Sequence, residues 1–569
     1  MGGRQDGFRN STRLQSTRPG QCIRFEVGNR YQSRLDSLSI PRRSGISGLS
    51  ECTVEPCIED CITGCCLFFS DICYVIQNTL FEGWHKRELM IIRRNLISLI
   101  VGVAAGLSTL CLSQAPIKYQ PTLDSLNRHP LPEWYAKAKV GIFVCWGPYS
   151  VPGWAPLSHP DHDFNATSYI INNPYAEWYY NVMRIDGSPT QAYHREHYGA
   201  NYDYYSFVPI FNREAANWKP EQWARIFRQA GAKYVVLTSK FHDGFALWPS
   251  ATHNPTLPPD RQHATRDIVG ELNEAVTGEG MRMGVYYSGG FDWTFVPGPI
   301  REATDYETVK PESEAYGSYA FTQVHELIER YHPALLWNDI DWPKTGNALQ
   351  VEADYYNAIP EGVVDDRFGI DHSDFTTAEY RRVDKFVAKK WEENRGLGRS
   401  FGYNRAEGEV ETIAPADLIA LLVDVVSKNG NLLLDVGPEA DGTIPPVQME
   451  RLKALGDWLD QNGEAIYDTE PWTRAVGRSV EGDDLRFTRK GVDLFVTLLG
   501  NPKAQTLTIQ DLVKVDGIHA SLLGDKSPLT LKGAGDNVSI VLPEKMRGEY
   551  AYTFKLAGYL KSNPREIAP

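Results

Sequence analysis

Apolar and polar positions change rhythm along this chain, and each change marks a segment. Residues 1 to 89 are rich in Arg, Ser and Gly and show little regular periodicity. That pattern predicts a mostly disordered stretch, or an extension of the gene model ahead of a start at Met90. A single apolar run follows, from Leu96 to Leu112, with Arg93 and Arg94 before it and small residues after it. A basic start, an apolar centre and a small-residue end form the layout of a secretory signal, here spanning 90–115, with cleavage after Ser113. The alternative is a single N-terminal membrane anchor, for which the run is shorter than the roughly 20 residues a span needs.

From 116 to 470 short apolar runs alternate with amphipathic stretches. Predicted strands are "VGIFVCWG" (140–147), "KYVVLTSKF" (233–241), "MGVYYSGG" (283–290), "ALLWND" (334–339), "GVVDDRF" (362–368) and "NLLLDVG" (431–437). Between them helices are legible. Pro220 opens one, Trp223, Ile226, Phe227 and Ala230 form its inner stripe, and Gly231 ends it. Another runs from Pro415 through Leu418, Leu421, Leu422, Val425 and Val426 to a stop at Asn429-Gly430. Strands apolar on both faces, alternating with helices, predict a parallel sheet covered by helices. At this length that is an α/β fold: an irregular (β/α)8-like, TIM-type barrel. Beyond 471 the rhythm shortens to "LRFTRKGVDLFVTLLG", "LTI", "VSIVLP" and "AYTFKLAG", separated by Gly, Asp, Asn and Pro. These read as a C-terminal antiparallel β-sandwich over 471–569, without a helix.

Composition narrows the function. A net charge of −14 argues against a nucleic-acid partner, which would want a basic face. Of the nine cysteines, seven precede residue 74, Cys111 closes the apolar run, and Cys145 is the only one downstream, so the barrel and sandwich hold no internal disulfide. The cluster Cys57, Cys61, Cys65 and Cys66 lacks histidine, and no metal or cofactor site is expected. Sequons at Asn165 and Asn537 accord with secretion.

Candidate chemistry collects where strands end, which in such a barrel is the working face. Cys145 and Trp146 end one strand, Lys240, His242 and Asp243 another, Tyr286 or Tyr287 with Asp292 and Trp293 a third. Asp339 ends the fourth, and Asp365, Asp366, Arg367 and Glu379 follow. Any one of these could be an ordinary polar strand end; repetition on strand after strand argues otherwise. Carboxylates beside aromatics, without a histidine-rich cluster or a G-x-S-x-G elbow, point to glycoside hydrolysis.

Together these blocks resemble glycoside hydrolase family 29, the retaining α-L-fucosidases. The likeness runs from "WYAKAKVGIFVCWGPYSVPGWA" through "EWY", "YVVLTSKFHDGFALW", "GVYYSGGFDW", "LLWNDIDWP" and "VDDRFG" to "KNGNLLLDVGPEADGTIP". The resemblance implies a barrel followed by a β-sandwich, an exo-acting α-L-fucosidase without cofactor, and a fucosylated glycan, oligosaccharide or cell-wall polysaccharide as substrate. No stable membrane partner is expected, and the oligomeric state is left open. It implies Asp339 as nucleophile and Glu379, in Thr377 to Tyr380, as acid/base, with Glu392 or Glu393 as the fallback. It further implies Glu177, Trp178, His242, Tyr286, Trp337 and Arg367 as substrate contacts. Trp178 and Trp337 could instead be core, and Arg367 could instead pair with Asp365 or Asp366. Two positions depart from the family: Cys145 stands where the first strand usually carries His, and Phe241 where a second His is usual. Neither can replace a strong donor, and each lost bond to a sugar hydroxyl costs on the order of 1 kcal/mol. Alternatives are a retaining exo-glycosidase acting on a related sugar such as L-galactose, and a fucose-binding protein without turnover.

Overall fold

The computed structural model describes residues 118–157 and 166–562, apart from 515, 516, 526, 527 and 547. The expected leader at 90–115, the cysteine cluster, the region 1–89 and the Asn165 sequon lie outside the described residues. Among the described residues no helix is long and apolar enough to cross a membrane.

Eight parallel strands make one curled sheet: β1 (Val140–Val144), β2 (Tyr234–Lys240), β3 (Arg282–Ser288), β4 (Leu335–Asp339), β5 (Val363–Val364), β6 (Thr376–Glu379), β7 (Trp391–Gly396) and β8 (Gly430–Val436). Their order is β5-β4-β3-β2-β1-β8-β7-β6, so β8 pairs with β1 and the curl is continuous except between β5 and β6. β1, β2, β4 and β8 are buried along their whole length, because one face meets the barrel interior and the other meets helices. The covering helices are α1 (Pro220–Gln229), α2 (Ile268–Gly278), α3 (Glu314–Tyr331), α4 (Ala348–Ala358), α5 (Pro415–Ser427) and α6 (Pro446–Asn462). Pro at the first turn of α1 and α5 and positive φ at Gly231 (94°) and Asn429 (78°) bound the two predicted helices.

The irregularity has a location. No helix separates β5 from β6 or β6 from β7. The predicted strand at 362–368 shrinks to Val363–Val364, and its remainder leaves the sheet to carry Asp365, Asp366 and Arg367 across the open seam. β6 and β7 were not legible as strands. "TTAE" and "WEENRG" are polar, and two of their acids, Glu379 and Glu392, are bonded to protein groups.

The C-terminal part begins at β9 (Glu470–Arg478). It continues through β10 (Asp484–Lys490), β11 (Asp493–Leu499), β12 (Thr506–Ile509), β13 (His519–Leu522), β14 (Pro528–Leu529), β15 (Leu531–Ala534), β16 (Asn537–Val541) and β17 (Ala551–Ala557). A six-stranded sheet, β14-β13-β17-β11-β10-β9, faces a three-stranded one, β12-β16-β15, and every pair is antiparallel. Their inner residues, among them Trp472, Phe487, Val496, Leu507, Ile540 and Phe554, form a core separate from that of the barrel. One short helix, Tyr559–Ser562, follows β17; its Tyr559 and Leu560 pack into that core, so the expectation of no helix there is corrected. The two parts are joined by α5 packing on β9 and β10, an ion pair between Arg486 and Asp424, and a 3.0 Å bond from Trp458 Nε1 to the Ala551 carbonyl.

Phe487 is fully buried and packs against Trp472. Phe487→Ala is expected to destabilise the C-terminal part by about 3–5 kcal/mol. A urea titration followed by tryptophan fluorescence reads this, and an unchanged midpoint would contradict the assignment of a separate core.

Candidate active site

Strand register decides which side chains meet. In the β3–β4 pair, Tyr286 lies beside Trp337 and Ser288 beside Asp339, so these four share the inner face while Tyr287 and Asn338 share the outer one. Tyr287 accordingly donates away from the barrel, to Gln323 at 3.0 Å, whereas the Tyr286 hydroxyl donates to Asp339 Oδ2 at 2.8 Å. On β2 a register irregularity between Thr238 and Lys240 breaks the alternation. Lys240 turns outward to a fully buried ion pair with Asp292 at 3.0 Å, and Phe241 and His242 line the cavity.

The centre of the site is a three-residue clamp. Arg367 Nη1 donates to Asp339 Oδ1 at 2.8 Å, and Nη2 donates to Glu379 Oε2 at 3.0 Å. Its Nε donates to Thr377 Oγ1 at 3.0 Å, and that hydroxyl donates to Asp366 Oδ1 at 2.9 Å. The guanidinium also stacks 4.6 Å over the Trp337 ring. Burial opposes its charge, but Asp339 and Glu379 outweigh burial and hold it firmly protonated. Asp365 and Asp366 are therefore not its ion-pair partners. Asp365 is wholly buried, and its Oδ1 accepts the Asn338 amide at 3.1 Å.

Around the clamp lies a cavity of about 310 Å³, within the range of small-ligand sites. Phe143, Cys145, Phe241, Tyr306, Trp337, Ile340 and Phe401 make much of its wall; Glu177, His242, Asp339, Arg367, Glu379, Asn173 and Asn394 supply polar groups. Glu177 Oε2 accepts the Gly402 amide at 2.8 Å, and burial pushes its carboxyl up to about 7. The Tyr175 hydroxyl donates to Glu379 Oε1 at 3.3 Å. Trp178 meets the His242 ring edge-on at 5.7 Å. Cys145 Sγ lies 3.3 Å from the Tyr149 hydroxyl, and burial pushes its thiol well up, which makes it a poor nucleophile.

All eight residues singled out from the sequence line this one cavity: Asp339, Glu379, Glu177, Trp178, His242, Tyr286, Trp337 and Arg367. Glu392 does not. It lies inside the barrel beneath the site, where it accepts Trp337 Nε1 at 3.1 Å, Tyr135 OH at 2.9 Å and Tyr234 OH at 2.5 Å. Glu393 is buried outside the cavity as well, so neither fallback acid faces it. Asp341 points outward, half-exposed, to Lys310 at 2.7 Å. The reason is a turn in which Ile340 and Asp341 both have positive φ, 58° and 69°, which ends the strand alternation at Asp339. Sequence reading missed Tyr175, Asn173, Tyr306, Ile340, Asn394 and Phe401. Tyr175 stands two residues before Glu177 and Ile340 directly after Asp339, so those blocks carried a signal; the others come from loops, the short helix Asp305–Thr308 and β7 and carry none. Among the described residues no three His, Cys, Asp or Glu side chains converge as a metal site.

Comparison with known proteins gives a consistent result. Residues 107–464 match the family model described as alpha-L-fucosidase. An alpha-L-fucosidase of Dictyostelium discoideum is 33% identical over 467 residues, covering 77% of this chain and 95% of its own. The tissue alpha-L-fucosidase of Homo sapiens is 32% identical over 482 residues, covering 81% and 96%. The crystal structure of Thermotoga maritima alpha-fucosidase in complex with a mechanism-based inhibitor matches with a TM-score of 0.71 at 44% identity, covering 77% of this chain and 99% of that one.

The buried acids set a pH dependence. Burial raises Asp243 to about 6, Glu177 and Glu392 to about 7, and Glu393 and Glu407 to about 8. Between the ordinary carboxylate range and these values the folded chain holds protons that the unfolded chain has lost, so stability falls as pH rises. His242, lowered by burial to about 3, and His372, lowered to about 4, act the opposite way, but only up to the ordinary histidine value. The melting temperature is expected to fall between pH 5 and pH 8, most clearly above pH 6.5. Calorimetry at constant ionic strength checks this, and a rise over that interval would contradict it.

Proposed function

The chain belongs to the alpha-L-fucosidase family of glycoside hydrolases, and on that premise we propose that it removes terminal α-L-fucose from glycans or cell-wall polysaccharides by a retaining double displacement. The observation that carries the reading is the single guanidinium holding two carboxylates, Asp339 and Glu379, at one aromatic cavity. Bonds of 2.8 and 3.0 Å to two nitrogens of one group keep the acids near each other. Such proximity suits a retaining enzyme, whose carboxyls stand about 5–5.5 Å apart, better than an inverting one, which must fit a water between them.

In this mechanism Asp339 attacks the anomeric carbon while Glu379 protonates the departing oxygen. A fucosyl ester forms on Asp339. Glu379 then takes a proton from water, which attacks the same carbon and frees Asp339. Arg367 keeps both acids in place, and Tyr286, which burial and the Asp339 charge keep firmly protonated, orients Oδ2 by donating to it. Glu177 and His242 bind sugar hydroxyls, Trp178 closes that flank, and Trp337 lies under the sugar's apolar edge.

The wall made by Phe143, Cys145, Phe241 and Phe401 favours a 6-deoxy sugar. The hydroxymethyl of L-galactose would leave a hydroxyl without a partner there, at about 1–3 kcal/mol. A protein that binds without turnover would have no use for both clamped acids. The signal-like segment at 90–115 supports action outside the cell.

Asp339→Ala is expected to lower kcat by roughly 10⁴-fold or more. Glu379→Ala is expected to lose less with an activated aryl fucoside than with a natural linkage, and to regain rate with azide, because an activated leaving group needs no acid. Asp341→Ala, at the rim, retains most activity. Fucose release over a panel of linkages, with NMR of the first anomer formed, checks the whole reading. Near-normal turnover by Asp339→Ala, or a first product of inverted configuration, would sink it.

A further inference from the structure

His242 is held from every side. Phe241 tilts over its ring at 4.0 Å, and Trp178, Phe291 and Trp293 meet it at 5.7, 5.3 and 5.1 Å. Its Nδ1 is 2.5 Å from Ser288 Oγ. That hydroxyl is in turn 2.7 Å from the Phe291 carbonyl oxygen, which can only accept. Ser288 has one hydrogen, and the carbonyl takes it. The contact to His242 must then run the other way, with Nδ1–H donating to Oγ. Burial pushes the imidazolium down to about 3, so the ring is neutral and this is its only N–H. Nε2 is left as a bare lone pair facing the cavity, 3.8 Å from Asp339 Oδ2 and not bonded to it.

We propose that Ser288 is a positioning residue that locks His242 in its Nδ1–H form, so that Nε2 accepts a donated hydrogen bond from one substrate hydroxyl and gives none to Asp339. This rests on the fucosidase reading for the identity of the substrate. The consequence has two sides. The opposite form would present an N–H towards Asp339 Oδ2, beside the bond already donated by Tyr286, and a third donor on that carboxylate would weaken it as a nucleophile. The bare nitrogen also discriminates: it binds a hydroxyl that can donate and has nothing to offer a deoxy, fluoro or methoxy group at the same position.

The test is nitrogen NMR of the full chain labelled with ¹⁵N-histidine, with His242 assigned by the loss of its signals in His242→Gln. In the wild type His242 is expected to show a protonated Nδ1 and an unprotonated Nε2 from pH 5 to 8. In Ser288→Ala the Nε2–H form should appear, and Ser288→Thr, which keeps the hydroxyl, should restore the wild-type pattern. With mono-deoxy aryl fucosides, one position should cost the wild type about tenfold in kcat/KM, and Ser288→Ala should shrink that penalty at the same position alone. A merely structural role would lower every substrate alike. An Nε2–H ring in the wild type, or a Ser288→Ala variant with unchanged tautomer and unchanged deoxy pattern, overturns the proposal. If Ser288→Ala does not fold, the wild-type shifts decide by themselves. Absence of turnover on every fucoside would instead overturn the functional reading, and the tautomer measurement would still stand.

Discussion

One guanidinium between two carboxylates is the constraint from which the site's architecture follows. Two unit negative charges about 5 Å apart repel by roughly 3 kcal/mol at an effective dielectric of about 20, and each is attracted by roughly 4 kcal/mol to a cation about 4 Å away. The cation offsets that repulsion, so both acids can be held close to the same point. Arginine suits the place better than lysine, because its fork offers Asp339 and Glu379 separate nitrogens while the face of the plane rests on Trp337. The chain must then deliver three groups from different elements to one point. Asp339 comes from the end of β4, Glu379 from the end of β6, and Arg367 from the stretch that spans the open seam between β5 and β6. A regular strand-helix connection at that seam would carry residues 365–375 away from the cavity, so the irregularity of the barrel is bound up with the clamp.

Beneath the clamp each group has a partner that can be traced. Trp337 supports Arg367 and is itself fixed by Glu392, whose carboxyl also holds Tyr135 and Tyr234. Beside it, Asp339 is followed at once by the left-handed pair Ile340 and Asp341, an uncomfortable conformation for a β-branched residue. The turn persists because its surroundings determine it. Asn338 Nδ2 donates to the Asp341 and Arg367 carbonyls at 2.8 and 2.7 Å, and Lys310 ties down the Asp341 side chain. Gly290 donates its amide to the Asp339 carbonyl, and a Cβ there would lie 1.5 Å from the Ile340 carbonyl oxygen. Strain at the residue after the proposed nucleophile is thus matched by four contacts that hold the strand end still.

These relations explain what could be read in the sequence. β1 to β4 and β8 were legible because burial on both faces leaves continuous apolar runs, and the helices because proline, an inner stripe and a glycine or asparagine mark them. β6 and β7 were not, since they are polar, and Glu379 and Glu392 are bonded to distant partners that no local pattern reveals. The same blindness left Glu392 and Glu393 as candidates: in sequence they are acids near an acid, and only the fold shows Glu392 turned down among tyrosines. Ideal strand alternation would put Asp339 and Asp341 on one face, and the turn at Ile340 separates them. Choosing Tyr286 over Tyr287 needed the β3–β4 register. The clamp itself was not legible: strand ends and resemblance brought up Asp339, Glu379 and Arg367, but these are spread over 41 residues of sequence and no spacing rule connects them.

The two positions where histidine is absent bear on how the cavity would choose its sugar. Cys145 is occupied with the Tyr149 hydroxyl, and Phe241 offers only its ring, which stacks on Tyr286 at 6.0 Å and on His242. The polar partners are Glu177, His242 and the clamp, while Phe143, Cys145, Phe241 and Phe401 add apolar wall to the same cavity. Under the proposed function, such a site would read hydroxyls at Glu177 and His242 and their absence at the aromatic wall. Presence is enforced strongly, because a missing hydroxyl strands a buried carboxyl or imidazole; absence is enforced by desolvation of any oxygen pushed against the wall. A histidine at either place would add a donor, but that donor would be buried beside aromatic rings and would itself need a partner. Under the proposed function, Cys145 and Phe241 would make that part of the cavity select by shape rather than by bonding, and neither is bonded to the clamp.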